Sequence, residues 1–184
     1  CKKPDVGRTY PVVTPVESDE FNSADLGLQW QWHANPQADW SSLTAWQGWL
    51  RLSAASMPEG AVNLWPVPNL LLQKLPAPAF TATTMLDGSE LAVGAKAGLL
   101  VMGQSYSYLA VEQTPSGLRL TKKSCRDAAQ GNQETEDGGA ALAAESILLR
   151  VAVADGAVCR FSFSTDGREF TTIGGPFTAQ PGRW

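Results

Sequence analysis

Histidine is almost missing from this chain: His33 is the only one among 184 residues. A serine or cysteine nucleophile would have to take it as base, and no G-x-S-x-G turn is present to carry such a nucleophile. Paired cysteine or histidine ligands at zinc spacing are also missing. No glycine-rich phosphate loop occurs; Gly94, Gly98 and Gly103 sit among strand-like residues. Charge is scarce, at 17% Asp, Glu, Lys and Arg against the usual quarter or so. Lys and Arg total 14, the net charge is -4, and no basic stripe forms. A nucleic-acid phosphate backbone is therefore excluded as partner. No apolar run approaches the roughly 20 residues of a membrane helix. An export signal, if used, would lie upstream of the sequence.

Cysteine is sparse and odd in number: Cys1, Cys125 and Cys159. A fully paired disulfide framework is excluded. Cys125 and Cys159 flank predicted strands and either pair or stay buried as free thiols. Cys1 admits two readings, a lipid-bearing first residue or the edge of a domain within a longer chain. The second is favoured because Pro4, Pro11 and Pro15 make 1–16 read as a stiff interdomain linker.

What is present is strand pattern. A chain of 184 residues suits one domain. Leu26, Leu28, Trp30 and Trp32 alternate with Gly27, Gln29 and Gln31, which predicts a strand with those four side chains on one face. Further strands are predicted at 49–54, 69–74, 80–86, 99–102, 106–112, 118–123, 147–154, 158–163 and 170–173. Ser116-Gly117, Asp155-Gly156 and Asp166-Gly167 mark turns between them. The polar stretch 124–139 reads as a surface loop, and 140–146 could form a turn of helix. Many short strands at close spacing give an all-β sandwich or barrel.

Tryptophan is concentrated. Trp30, Trp32, Trp40, Trp46, Trp49 and Trp65 fall in one third of the chain, and Trp184 stands alone. Sugar rings stack their C–H faces on indoles while their hydroxyls seek amide and imidazole groups. The run Trp30-Gln31-Trp32-His33-Ala34-Asn35-Pro36 has that composition. Trp30 and Trp49 sit in strand patterns and are assigned to the core. Trp32, His33, Asn35, Trp40 and Trp65 are the candidate carbohydrate-binding residues. No catalytic residue is assigned, since glycoside hydrolysis needs two facing carboxylates. Most acids fall in turns, and Glu112 is a lone strand-borne candidate.

Four stretches in order carry a resemblance: SDEFNSADLGLQWQWHANP (18–36), LWPVPNLLLQKLPAPAFTAT (64–83), GLLVMGQSYSYLAVE (98–112) and CRFSFSTDGREFT (159–171). Together they resemble the C-terminal concanavalin A-like domain of family-43 glycoside hydrolases, which include β-xylosidases and α-L-arabinofuranosidases. The stretch KKPDVGRTYP (2–11) resembles the linker to the catalytic part. The resemblance implies a jelly-roll sandwich of two antiparallel sheets over 17–184. It also implies a five-bladed propeller upstream that carries the catalytic carboxylates. The sandwich itself would then be non-catalytic. It would bind xylan-type polysaccharide or shape the propeller's active site, and the 33–39 loop would correspond to the region near that site. A purely structural packing domain is the alternative, and a stand-alone glycosidase a more remote one. The parent would be a bacterial periplasmic or extracellular protein, with a surface lipoprotein as a variant. Family members continue past a PGRW-like sequence, so the last strand or strands would lie beyond Trp184. No cofactor is expected. A structural calcium at Asp19-Glu20, known in related sandwiches, is the single metal the resemblance allows.

Overall fold

The computed structural model describes Gly7 and residues 16–182. Most of the predicted linker, Cys1 and Trp184 lie outside those residues. The described chain holds thirteen strands. They are β1 (Trp30–Trp32), β2 (Ser41–Ser42), β3 (Arg51–Leu52), β4 (Leu71–Gln73), β5 (Phe80–Asp87), β6 (Lys96–Val101), β7 (Tyr106–Thr114), β8 (Gly117–Cys125), β9 (Thr135–Ala141), β10 (Ser146–Ala154), β11 (Val158–Ser164), β12 (Thr171–Thr172) and β13 (Phe177–Thr178). A single 3-10 turn, Ala128–Gln130, follows β8, and no α-helix occurs among the described residues.

Two antiparallel sheets form the sandwich. One runs β5-β10-β11, with β12 and β13 both on the far edge of β11. The other runs β6-β7-β8-β9. Period-two alternation explains the first sheet: Ile147, Leu149, Val151 and Val153 are buried, and the residues between them point outward. They meet Val101, Leu109, Val111 and Leu120 of the second sheet, with Cys159, Phe161, Ile173 and Phe177 completing one core. The Asp155-Gly156 signal holds: β10 turns into β11 there, with Gly156 at φ 78 and Ala157 at φ 58. Asp166 also turns as expected. Its Oδ1 accepts the N–H of Arg168 and of Glu169 and the Ser164 hydroxyl, which holds its carboxyl below the usual range.

β7 breaks the alternation, because Tyr106 to Val111 are all buried. The cause is a second core on the opposite face of the four-stranded sheet. Tyr106, Tyr108, Ala110 and Cys125 are covered there by Leu64, Val67 and Ala128, with Trp65 and Leu70 packed alongside. The 61–70 segment thus lies across the outer face of the sheet.

Five expectations are corrected. The 124–139 loop and the 140–146 helical turn give way to the short 3-10 turn and to β9, which pairs with β8 through a bulge at Lys122/Lys123. β9 carries no apolar alternation; backbone pairing makes it a strand. Gly138 is needed there, since a Cβ would sit 2.7 Å from Ile173 Cγ1. The 26–32 strand shrinks to β1. A turn closed by Trp30 N–H on the Gly27 carbonyl (3.1 Å) precedes it, and Leu28 is fully exposed. Strands 49–54 and 170–173 shorten to the two-residue β3 and β12.

Cys125 and Cys159 are both free, buried, and placed in different cores. Burial pushes both thiols up from their ordinary value. In a Cys1→Ser background the folded protein should show no reactive thiol toward a thiol reagent, and two after denaturation without reductant. Only a count of zero after denaturation would revive the disulfide.

Candidate functional site

β1 pairs with β4, Trp30 opposite Gln73 and Trp32 opposite Leu71. His33 extends that ladder by donating its N–H to the Leu70 carbonyl at 2.9 Å. The chain then loops out through Asn35, which is exposed and makes no hydrogen bond among the described residues. It returns at Trp40, whose N–H closes a turn on Gln37 and whose carbonyl accepts Ser53 N–H. The loop thereby brings Trp40 beside Trp32, with ring centroids 5.5 Å apart and planes at 58°. Both residues are half-buried.

The second aromatic pair is His33 with Trp65, edge-on at 6.5 Å. His33 Nε2 donates to the Trp65 carbonyl at 3.1 Å, which places a proton on Nε2. Trp65 is fixed from several sides. Asn63 is buried; its amide donates to the Ala128 and Asn132 carbonyls, and its Oδ1 accepts Trp65 N–H at 2.9 Å. Leu64 N–H donates to the Tyr106 hydroxyl at 2.7 Å. That hydroxyl donates to Glu134 Oε1 at 2.6 Å, while Tyr108 donates to Oε2 at 2.8 Å. Burial first, and Glu134 second, push both phenols far above their ordinary value, so they stay donors. A cleft of about 190 Å3 lies between Trp65 and the Ala128–Gln130 turn, with Asn63 and glycines in its wall and no carboxylate.

The structure thus groups Trp32 with Trp40 and His33 with Trp65, and leaves Asn35 apart. Trp30 is corrected. It is half-buried outside both cores, stacks on Phe21 at 5.8 Å and donates Nε1–H to Asp19 at 2.9 Å, so it anchors the 19–21 turn. Trp49 is likewise half-buried and outside both cores. Trp46 is 47% exposed under the Arg51 guanidinium, which pairs with Glu90. Sequence reasoning missed Asn63, Tyr106, Tyr108 and Glu134. The Tyr-Ser-Tyr spacing of β7, which puts both phenols on one face, was the available signal.

The acids have other work. Glu112 lies opposite Lys96 and Arg119 in register, and Arg119 pairs with Glu136. The Asp19 oxygens accept Phe21 N–H, Gln29 and Trp30. Among the described residues no group of three or more His, Cys, Asp or Glu is placed to hold a metal.

Two antiparallel sheets packed face to face define a concanavalin A-like β-sandwich. The family described as beta xylosidase C-terminal concanavalin A-like domain matches residues 18–181, and the chain belongs to it. A β-xylosidase of Formosa agariphila is 29% identical over 202 aligned positions, covering all of this chain and 32% of that protein. A bifunctional GH43-CE structure from Bacteroides eggerthii superposes with a TM-score of 0.79 at 24% identity, over 88% of this chain and 21% of that one. The GH43 BlXynB structure from Bacillus licheniformis gives 0.75 at 24%, over 90% and 31%. The chain therefore spans about a third or less of these relatives. It corresponds to the C-terminal domain of GH43 glycoside hydrolases.

Proposed function

We propose that this domain is a non-catalytic accessory module of a family-43 glycoside hydrolase, attached to a propeller catalytic domain. It binds xylan-type chains, or presents its aromatic loops at the mouth of the neighbouring active site. The observation that carries this reading is the pairing of Trp32, at the end of β1, with Trp40, and of His33 with Trp65, the latter pair held by hydrogen bonds. Pre-set aromatic faces with polar groups beside them suit stacking on pyranose rings. A packing role has its own support. Leu28, Trp46 and Leu52 are exposed apolar side chains in or near the short β1–β4 and β2–β3 pairs, and a neighbouring domain would cover them.

Affinity electrophoresis separates the two. The folded chain should be retarded in xylan gels more than in an unrelated glucan. Trp40→Ala and Trp65→Ala should each weaken binding by about 2 kcal/mol. Equal mobility in xylan, arabinan and glucan gels, with the protein folded, would leave packing as the role. Nitrophenyl xyloside and arabinoside should not be turned over. Turnover abolished by a single carboxylate substitution would make the domain an enzyme.

A further inference from the structure

A second cleft, of about 280 Å3, opens between the 19–24 turn and the 42–48 turn. It lies apart from the aromatic pairs, and Phe21, Asn22, Ser23, Leu43, Thr44 and Gln47 line it. We propose that this cleft is a sugar subsite that takes one neutral pyranose or furanose ring. The proposal rests on the glycan-binding reading above and extends it to residues not yet assigned.

Size and chemistry carry the argument. The volume falls just under the roughly 300–1,000 Å3 of sites for larger ligands, which suits a single ring. No charged side chain is in the wall, so anions and cations gain nothing there. The wall instead offers two amides and two hydroxyls beside the Phe21 ring. Among the described residues, the side chains of Asn22, Ser23 and Gln47 make no hydrogen bond, so their donors and acceptors are open to a ligand.

The wall is also held in place at a cost. Phe21 sits at φ 52, a left-handed conformation that costs a non-glycine residue about 1–2 kcal/mol. Asp19 maintains it by accepting Phe21 N–H at 2.8 Å while its other oxygen accepts the Trp30 indole. The Phe21 ring lies against Trp30, with centroids 5.8 Å apart. On the facing wall, Ser42 Oγ accepts Thr44 N–H and Ala45 N–H, which sets Thr44. Gly48, at φ 77, shapes that turn, and a Cβ built on it would meet Asn22 Oδ1 at 3.7 Å, so Asn22 faces the turn across the cleft. Trp40 and Thr44 are four residues apart along the chain, at most about 13 Å. One oligosaccharide could therefore touch both the Trp32–Trp40 pair and the cleft.

An amide-resolved NMR titration of this chain tests it. The probes are methyl β-xyloside, methyl α-arabinofuranoside and a xylo-oligosaccharide. The side-chain amide signals of Asn22 and Gln47 report on the cleft. The indole N–H signals of Trp32, Trp40 and Trp65 report on the aromatic site. Both sets are expected to shift. The Asn22→Ala/Gln47→Ala double variant should raise the monosaccharide Kd about tenfold and leave the indole shifts intact. Thr44→Val, which keeps the side-chain volume, should weaken binding in the same direction if the double variant fails to fold. Indole shifts with silent amides overturn the cleft and leave the aromatic site standing. Amide shifts with silent indoles do the reverse. Silence from both, in a protein with a dispersed spectrum, overturns both.

Discussion

Asp137→Ala should lower unfolding stability by about 3 kcal/mol, a large effect for a residue on an edge strand. The reason is Lys122. Its side chain is 1% exposed, yet it carries an ammonium. Nζ donates to Asp137 Oδ2 at 2.7 Å and to the Gly175 carbonyl at 3.1 Å, with the Phe161 ring 6.0 Å away. The same Asp137 oxygen accepts Gly175 N–H, so one carboxylate ties β9, β8 and the 174–175 turn together. Removing it leaves a buried cation with one carbonyl. Asp137 is itself 41% exposed, so water enters, and the cost stays at the low end of the roughly 3–5 kcal/mol of a broken buried pair. Adding Lys122→Met should recover most of the loss, because the unpaired charge goes with it. Urea midpoints at constant m-value read both effects. A single variant within about 0.5 kcal/mol of the parent would show that the ammonium has another route to solvent.

Glu134→Ala should cost a similar amount, roughly 3 kcal/mol, and should also loosen Trp65. Its two oxygens are the acceptors for the Tyr106 and Tyr108 hydroxyls, both essentially buried. Each orphaned hydroxyl costs about 1–3 kcal/mol. Glu134→Gln keeps one acceptor oxygen and should cost about 1 kcal/mol. The functional readout is separate: Trp65 emission and xylan retardation should change in Glu134→Ala before the protein unfolds, since Leu64 N–H rests on Tyr106. Intact retardation in a destabilised variant would detach the network from the site. The phenols add a pH dependence. Their folded values lie above the unfolded value of 10.0, so the unfolded chain loses protons first. Stability is therefore full below about pH 10 and falls as pH rises beyond it. Tyr106→Phe with Tyr108→Phe should flatten that fall.

Much of the sandwich was legible in the sequence because β5 and β10 alternate and the Asp155-Gly156 turn joins β10 to β11. β9 was not legible: Thr-Glu-Asp-Gly-Gly-Ala-Ala lacks any apolar period, and only its neighbour makes it a strand. Leu28 misled for the opposite reason, since its alternation sits in a turn with nothing to cover it. In the candidate site, tryptophan clustering pointed to Trp32, Trp40 and Trp65, which the structure places in two aromatic pairs. The supports beneath Trp65 stayed hidden, because Asn63 reaches Asn132 and Tyr106 reaches Glu134 across long stretches of chain with no local pattern. Trp30 shows that a tryptophan in a strand pattern can serve a carboxylate rather than a core.

β5 is the outer strand of its sheet, and its partner is β10, Phe80 facing Val153 and Asp87 facing Ser146. Residues 88–145, which include the whole opposing sheet, come between them. During synthesis at about 5–20 residues per second, β5 therefore waits roughly 3 to 12 s for its partner to emerge. The β6-β7-β8-β9 meander has only local turns and is free to form in that interval. Vectorial assembly of this sandwich then runs from the second sheet to the first. The threonines along β5 serve a purpose in the waiting strand: they keep it pairing-competent but poorly adhesive until β10 arrives.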